Sequence, residues 1–260
     1  MVRGLYTAYT GMLNEQYRMD ILSNNLANAD TVGFKKEGST AQSYSEVMAV
    51  KIKDKSENPN ISKKLGNMSL GVKIGETYTD FSQGSFRETG NTYDLALSGD
   101  GFFNVEFTNK AGETSTKYTR DGSFTITQDG YLVTDDGDYV LGEDGRIQLS
   151  TTTTDTIFSE DGSIYQDGKF VAKLKLTKFE DTNYLTHYGE TYWDVKDGAE
   201  ASDATDCKVH QGYLEMSNIS VVTEMVNMIS IQRHYDANQK LIQTMDDSLE
   251  KSVNQIGRIS

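Results

Sequence analysis

Apolar residues recur every seven positions at both ends of this 260-residue chain, while the middle shows no such period. The first run is Leu5, Met12, Met19 and Leu26; the second is Val221, Met228, Tyr235, Ile242, Leu249 and Ile256. A seven-residue repeat marks a helix that buries one narrow seam against another helix. The spacing predicts a helix over residues 4–28, with Leu22 widening its seam, and a second over 215–257, about 60 Å long at 1.5 Å per residue. Ser217 or Asn218 stands where a cap for the second helix belongs. The apolar area of so narrow a seam is small beside the backbone entropy lost in ordering two long helices. The tails are therefore expected to find shelter against each other and against neighbouring copies.

The middle is punctuated by eight Asp-Gly dipeptides, beginning at 100, 121, 129, 136, 144, 161, 167 and 197. Asp-Gly accepts the positive φ angles that tight hairpins need. Those at 121, 129, 136 and 144 are seven or eight residues apart, which predicts an antiparallel meander of short strands. Further strands are expected over 101–108, 170–180 and 191–195, with Trp193 in the core. Residues 36–70 are rich in Ser, Lys, Asn and Gly and are interrupted by Pro59; they read as an extended arm or linker. The expected fold class is α+β: discontinuous terminal helices forming a coiled-coil-like pair, with a central antiparallel β domain. The expected segments are 1–35 and 207–260 for the helices, 36–70 for the arm and 71–206 for the β domain.

Charge separates the same segments. The chain carries −14 overall, yet residues 71–206 hold 26 acidic and 11 basic side chains, and the tails are near neutral. An acidic body repels nucleic acid and anionic lipid. Neutral tails pack against copies of themselves without repulsion. The one cysteine, Cys207, excludes an internal disulfide and a cysteine-based zinc site. His187, His210 and His234 lack ligand spacing. The Asp-Gly loops lack the alternating oxygen ligands and the twelfth-position Glu of a calcium loop. Neither a nucleophile elbow nor a phosphate-cradling glycine loop is present. No catalytic residue, cofactor or metal site is expected. The amino terminus has no apolar leader core and no stretch spans a bilayer. The expectation is a cytoplasmic protein, or one that leaves the cell without a cleaved signal and without direct membrane insertion.

Asn24-Asn25-Leu26-Ala27-Asn28 followed by Thr31-Val32-Gly33-Phe34-Lys35 is similar to the N-terminal signature of the flagellar rod and hook protein family. Gln83-Gly84-Ser85-Phe86, the run from Thr89 to Leu97 and Gly101-Phe102-Phe103 resemble its central motif, although the family usually has Pro where Thr92 stands. Residues 118–124 and 130–134 also match. Gln211-Gly212-Tyr213-Leu214-Glu215-Met216-Ser217-Asn218 with 224–229 and Gln232-Arg233 resembles the C-terminal block. The resemblance implies a structural subunit that stacks helically into a hollow axial shaft carrying torque to the hook. Its terminal helices would line the tube, its β domain would face outward, and its tails would be disordered before assembly. The implied partners are copies of itself, other rod subunits, the hook protein and the flagellar type III export apparatus. Length and the C-terminal block are most similar to distal rod members, with proximal rod subunits close behind. A different reading of the residues is a secreted oligomeric binding module whose tails only trimerise it.

Overall fold

The computed structural model describes residues 2–44, 46–51, 63–109, 112–151, 155–196, 198–204 and 206–256. The chain divides into two compact units, one of Met1–Leu26, Glu37–Thr79 and Val221–Ser260, the other of Ala27–Lys36 and Asp80–Ser220.

The first unit holds both long helices, α1 (Val2–Ala27) and α2 (Val221–Lys251), with α2 running on into a short π-helical turn over Ser252–Ile256. It also holds four strands: β1 (Lys36–Ser43), β2 (Glu46–Lys51), β3 (Lys63–Ser69) and β4 (Val72–Asp80). β2 and β3 form an antiparallel hairpin with Val47 opposite Met68, and β1 pairs with β4. The reading of 36–70 as an arm without regular structure is corrected here: three strands lie in it. Residues 37–43 and 72–79 are exposed or only half-buried. A strand wetted on both faces needs no apolar alternation, so composition did not reveal it. Pro59 lies outside the described residues.

α2 begins at Val221, six residues later than the heptads suggest. Tyr213–Glu215 is instead a strand paired with Phe86–Glu88. Asn218 caps no helix; its side chain accepts from the Lys36 N–H and donates to the carbonyls of Asp80 and Ser82. Ser217 is buried, and its hydroxyl has no partner among the described residues.

The second unit is the β body. Its main sheet runs in the order Leu185–Tyr188, Tyr192–Val195, Thr114–Thr119, Phe102–Thr108, Tyr139–Gly142, Leu132–Thr134, Phe124–Ile126. The strands along this path pair antiparallel, as the meander predicts. The turn at Asp136-Gly137 has Gly137 at φ 92°, the geometry that Asp-Gly supplies. Gly122 is different: its φ is not positive, and a Cβ there would collide with the carbonyl oxygen of Leu95. The expected strand over 170–180 divides into Lys169–Lys173 and Leu176–Phe179. Between them the chain passes from one sheet to another, with the Leu174 N–H donating to Gly162 and the Lys175 N–H to Leu141. Leu95, Leu97, Phe103, Leu132, Val140 and Ile164 fill the larger core cluster, and Phe102, Phe179, Leu185 and Trp193 the smaller.

Candidate assembly interface

Within the helical unit α1 and α2 lie antiparallel. A methyl at Gly4 would sit 2.5 Å from Met245 Cε, and one at Gly11 would sit 3.0 Å from the Asn238 amide nitrogen. Seven residues forward on α1 correspond to seven backward on α2. The row of α1 that meets its partner is therefore Gly4 and Gly11, one position ahead of the apolar heptad. At these two positions glycine leaves room for a side chain of α2.

The apolar heptad itself is only partly covered. Leu5, Met12, Met19, Leu22 and Leu26 are half-buried, whereas Ala8, Asn14 and Asn25 are the buried residues of α1. The opposite flank of α1 rests on the turn between β3 and β4. The Thr7 hydroxyl donates to the Leu70 carbonyl, and a Cβ on Gly71 would lie 2.6 Å from Thr10 Oγ1. Asn25 exchanges both its amide groups with the backbone of Glu37 at 2.8 and 3.0 Å, tying the end of α1 to β1.

Along α2 the sheltered residues are Glu224, Met228, Ile231, Tyr235, Asn238, Ile242, Met245 and Leu249, alternately four and three apart. This is a strict heptad seam, and its second row is partly polar. Val221 is exposed at 38%, and the side chain of Ile256 lies outside the description. A second apolar stripe lies about 150° around the helix from the seam: Val222, Met225, Val226 and Ile229, exposed at 73, 48, 60 and 52%. Nothing among the described residues covers it. No helix among the described residues is long and apolar enough to cross a membrane.

The β body is organised around a buried ionic node. Glu215 is 1% exposed and its carboxylate accepts from Lys35 Nζ at 2.6 Å, from Arg120 at 3.3 Å and from the Gly84 N–H at 3.0 Å. Lys35 also donates to the Ser82 carbonyl and Arg120 to the Gly99 carbonyl. The Arg120 guanidinium lies 5.2 Å from the Phe102 ring centre. Burial pulls the Lys35 ammonium below the usual lysine range, and the Glu215 carboxylate opposes that shift. An ion group this dry persists only when each charge is matched and hydrogen-bonded. The node thereby locks the stretch that follows α1 to the stretch that precedes α2. Gly33 completes the joint: its N–H donates to the Glu215 carbonyl, its φ is 69°, and a Cβ would lie 2.5 Å from the Asp121 nitrogen.

Residues 5–35 match the flagella basal body rod protein family, 96–166 the flagellar hook protein FlgE/F/G D1 domain, and 210–256 the flagellar basal body rod FlgEFG protein C-terminal domain. The flagellar basal-body rod protein FlgG of Buchnera aphidicola subsp. Acyrthosiphon pisum (strain APS) is 32% identical, over 96% of this chain and 98% of its own. The chain belongs to the flagellar basal-body rod family. FlgG of Bacillus subtilis (strain 168) is likewise 32% identical, over 98% of this chain and 99% of its own. FlgF of Caulobacter vibrioides (strain ATCC 19089 / CIP 103742 / CB 15) is 31% identical over the whole of both chains. The protein is thus a structural subunit of the rod, and its place is the flagellar basal body.

The rod-family motif residues fall into four settings. Gly33, Phe34 and Asn218 stand at or beside the ionic node, and Phe34 packs edge-on to His187. Phe102 lies under Arg120, and Phe103 is in the main core. Gly101 backs onto Cys207 Sγ. Gln211 bridges the carbonyls of Thr92 and Thr156 while accepting from the Phe158 N–H, and the Gly212 carbonyl accepts from Thr89 and Gly90. Asn24 is exposed, and Asn28 closes the turn after α1 through Thr31. The heptad residues lie in the helical unit together with Asn24, Asn25 and Leu26 of the motif, and the other motif residues lie in the β body. Lys35, Arg120 and Glu215 were not singled out from sequence. Each stands inside one of the motif blocks, but one sequence does not reveal which distant charges meet.

Proposed function

We propose that this rod subunit polymerises helically with copies of itself into a hollow axial shaft that carries torque to the hook. The helical unit would line the tube and the acidic body would face outward. The exposed stripe Val222, Met225, Val226 and Ile229 carries this reading. Patches of this kind mark interaction sites, and on the other side of the same helix the row with Asn238 and Met245 already meets α1. The half-buried heptad row Leu5, Met12, Met19 and Leu26, with Met228, Tyr235, Ile242 and Leu249, supplies the remaining contact surface, and Val221 and Ile256 extend it at either end. The distal segment of the rod is the proposed position, on the likeness of length and of the 211–229 block. Other rod subunits and the hook protein adjoin it there, after delivery by the flagellar type III export apparatus without signal cleavage. The role is structural, with no turnover of a substrate.

Sedimentation combined with electron microscopy of the concentrated chain tests this. Tubes or open helical aggregates are expected. Small closed oligomers would instead identify a binding module held together by its tails.

A further inference from the structure

Tyr6, Tyr9 and Tyr17 of α1 are exposed at 61, 47 and 57%. With half-buried Leu13 they fall within about 80° of arc on the helix. This face is turned about 170° from the Gly4 and Gly11 row that meets α2. The helical unit thus carries two apolar helix faces left exposed among the described residues, the tyrosines on α1 and the stripe Val222–Ile229 on α2. They stand at different heights. Gly4 is level with Met245 and Gly11 with Asn238, so Tyr17 is level with Gln232 and not with Val222.

We propose that the tyrosine face of α1 in one copy docks on the Val222–Ile229 stripe of α2 in the next copy. This rests on the rod reading and names the surface that covers its exposed stripe. Copies stacked in one orientation keep α1 of one antiparallel to α2 of the next, as within a chain. Setting Tyr17 beside Val222 then brings Leu13 to Val226, Tyr6 to Arg233 and Arg3 to Asp236. Charge is thereby matched where the apolar stripe ends. The Arg233 guanidinium meets a tyrosine ring, and Arg3 meets a carboxylate. Arg3, Arg233 and Asp236 are exposed and have no salt bridge among the described residues. A slip of one turn either way sets Arg3 beside Lys240 or Arg233, a like charge. A slip of two turns sets Leu13 against Arg233 or runs Tyr17 off the start of α2. A tyrosine offers an apolar ring with a polar rim, which tolerates water before assembly. The contact is head-to-tail. Tyr17 moves from the level of Gln232 in its own chain to Val222 in the next, ten residues or about 15 Å along the axis. A heterologous contact with such a translation does not close into a ring and grows as an open helix.

Tyr17→Cys with Val222→Cys tests it in a Cys207→Ala background, in basal bodies purified from cells. Within one chain the two positions are about 15 Å apart along the axis, too far for a disulfide, so any bond joins two copies. The pair is expected to oxidise to a ladder of dimers, trimers and higher multimers, because each copy carries both halves of the contact. Tyr9→Cys with Val222→Cys, about 12 Å out of level, is expected to stay at background, as is each single cysteine. A background signal from the first pair, or an equal ladder from the second, overturns the inference. Dimers from Val222→Cys alone overturn it too, because the stripe would then meet its own counterpart. If the paired variant enters no rods, the same cross-links are read in the concentrated full-length chain, and the same outcomes decide. The rod reading fails separately, through closed oligomers in place of tubes.

Discussion

Gly11 of α1 and Asn238 of α2 lie face to face, and one heptad away Gly4 faces Met245 in the same sense. At both points the space left by glycine takes a side chain of the partner helix. Val at position 4 or 11 would overpack the contact at about 1–3 kcal/mol per site. Gly11→Val is expected to abolish rods seen by electron microscopy and swimming on soft agar, while the thermal transition of the β body stays unchanged. A motile Gly11→Val strain would contradict the pairing.

The free chain should show less helix than the 26 residues of α1 and the 31 of α2 would supply. A narrow, partly polar seam offsets little of the entropy of ordering them. Far-ultraviolet circular dichroism of the dilute subunit checks this, with helix rising on assembly. A fully helical dilute monomer would be the contrary result.

Met228→Asp and Ile242→Asp each place a carboxylate in the half-buried seam of α2. An unpaired carboxylate resists such burial. Neither variant is expected to pellet as polymer, and both should keep a folded body. Normal rods built from either would remove the seam from the assembly surface.

Glu215→Gln leaves Lys35 and Arg120 buried beside a neutral amide. Removing one partner from such a group costs about 3–5 kcal/mol. Glu143→Gln breaks an exposed pair with Lys173 and should cost about 0–1 kcal/mol. Denaturant unfolding followed by Trp193 fluorescence separates the two, because Trp193 is in the body core.

Burial pushes the Asp121 carboxyl above its ordinary 3.8, and the nearby Asp135 and Asp136 carboxylates push it further. The folded state therefore holds the proton more tightly than the unfolded chain does. Its contribution to stability is complete below 3.8 and is lost as pH rises through the folded value. Asp121→Asn keeps an oxygen for the Ser123 N–H and hydroxyl. It should flatten the fall in denaturant midpoint on the acid side of neutrality. An unchanged pH slope would rule out this origin.

Period was the part of the fold most legible in the sequence. Seven-residue recurrence located both helices, and Asp-Gly spacing located the meander around Tyr131–Gly142. The rest was hidden for physical reasons. Gly4 and Gly11 carry the helix contact, yet a residue with no side chain leaves no mark in an apolar pattern. The heptad phase of α2 extends back past Val221, but Leu214 and Glu215 are claimed by pairing with Phe86–Glu88 and by the node. β1 and β4 are too exposed to show alternation. The node was unreadable because its three charges lie 95 and 180 residues apart.

Those separations carry a consequence for timing. Lys35 and Arg120 leave the ribosome early, and the carboxylate that pairs with both arrives only when most of the chain has been made. Until then the two cations lack the ion partner that lets them be buried. The joint between the stretch after α1 and the stretch before α2 therefore waits for the last fifth of the chain.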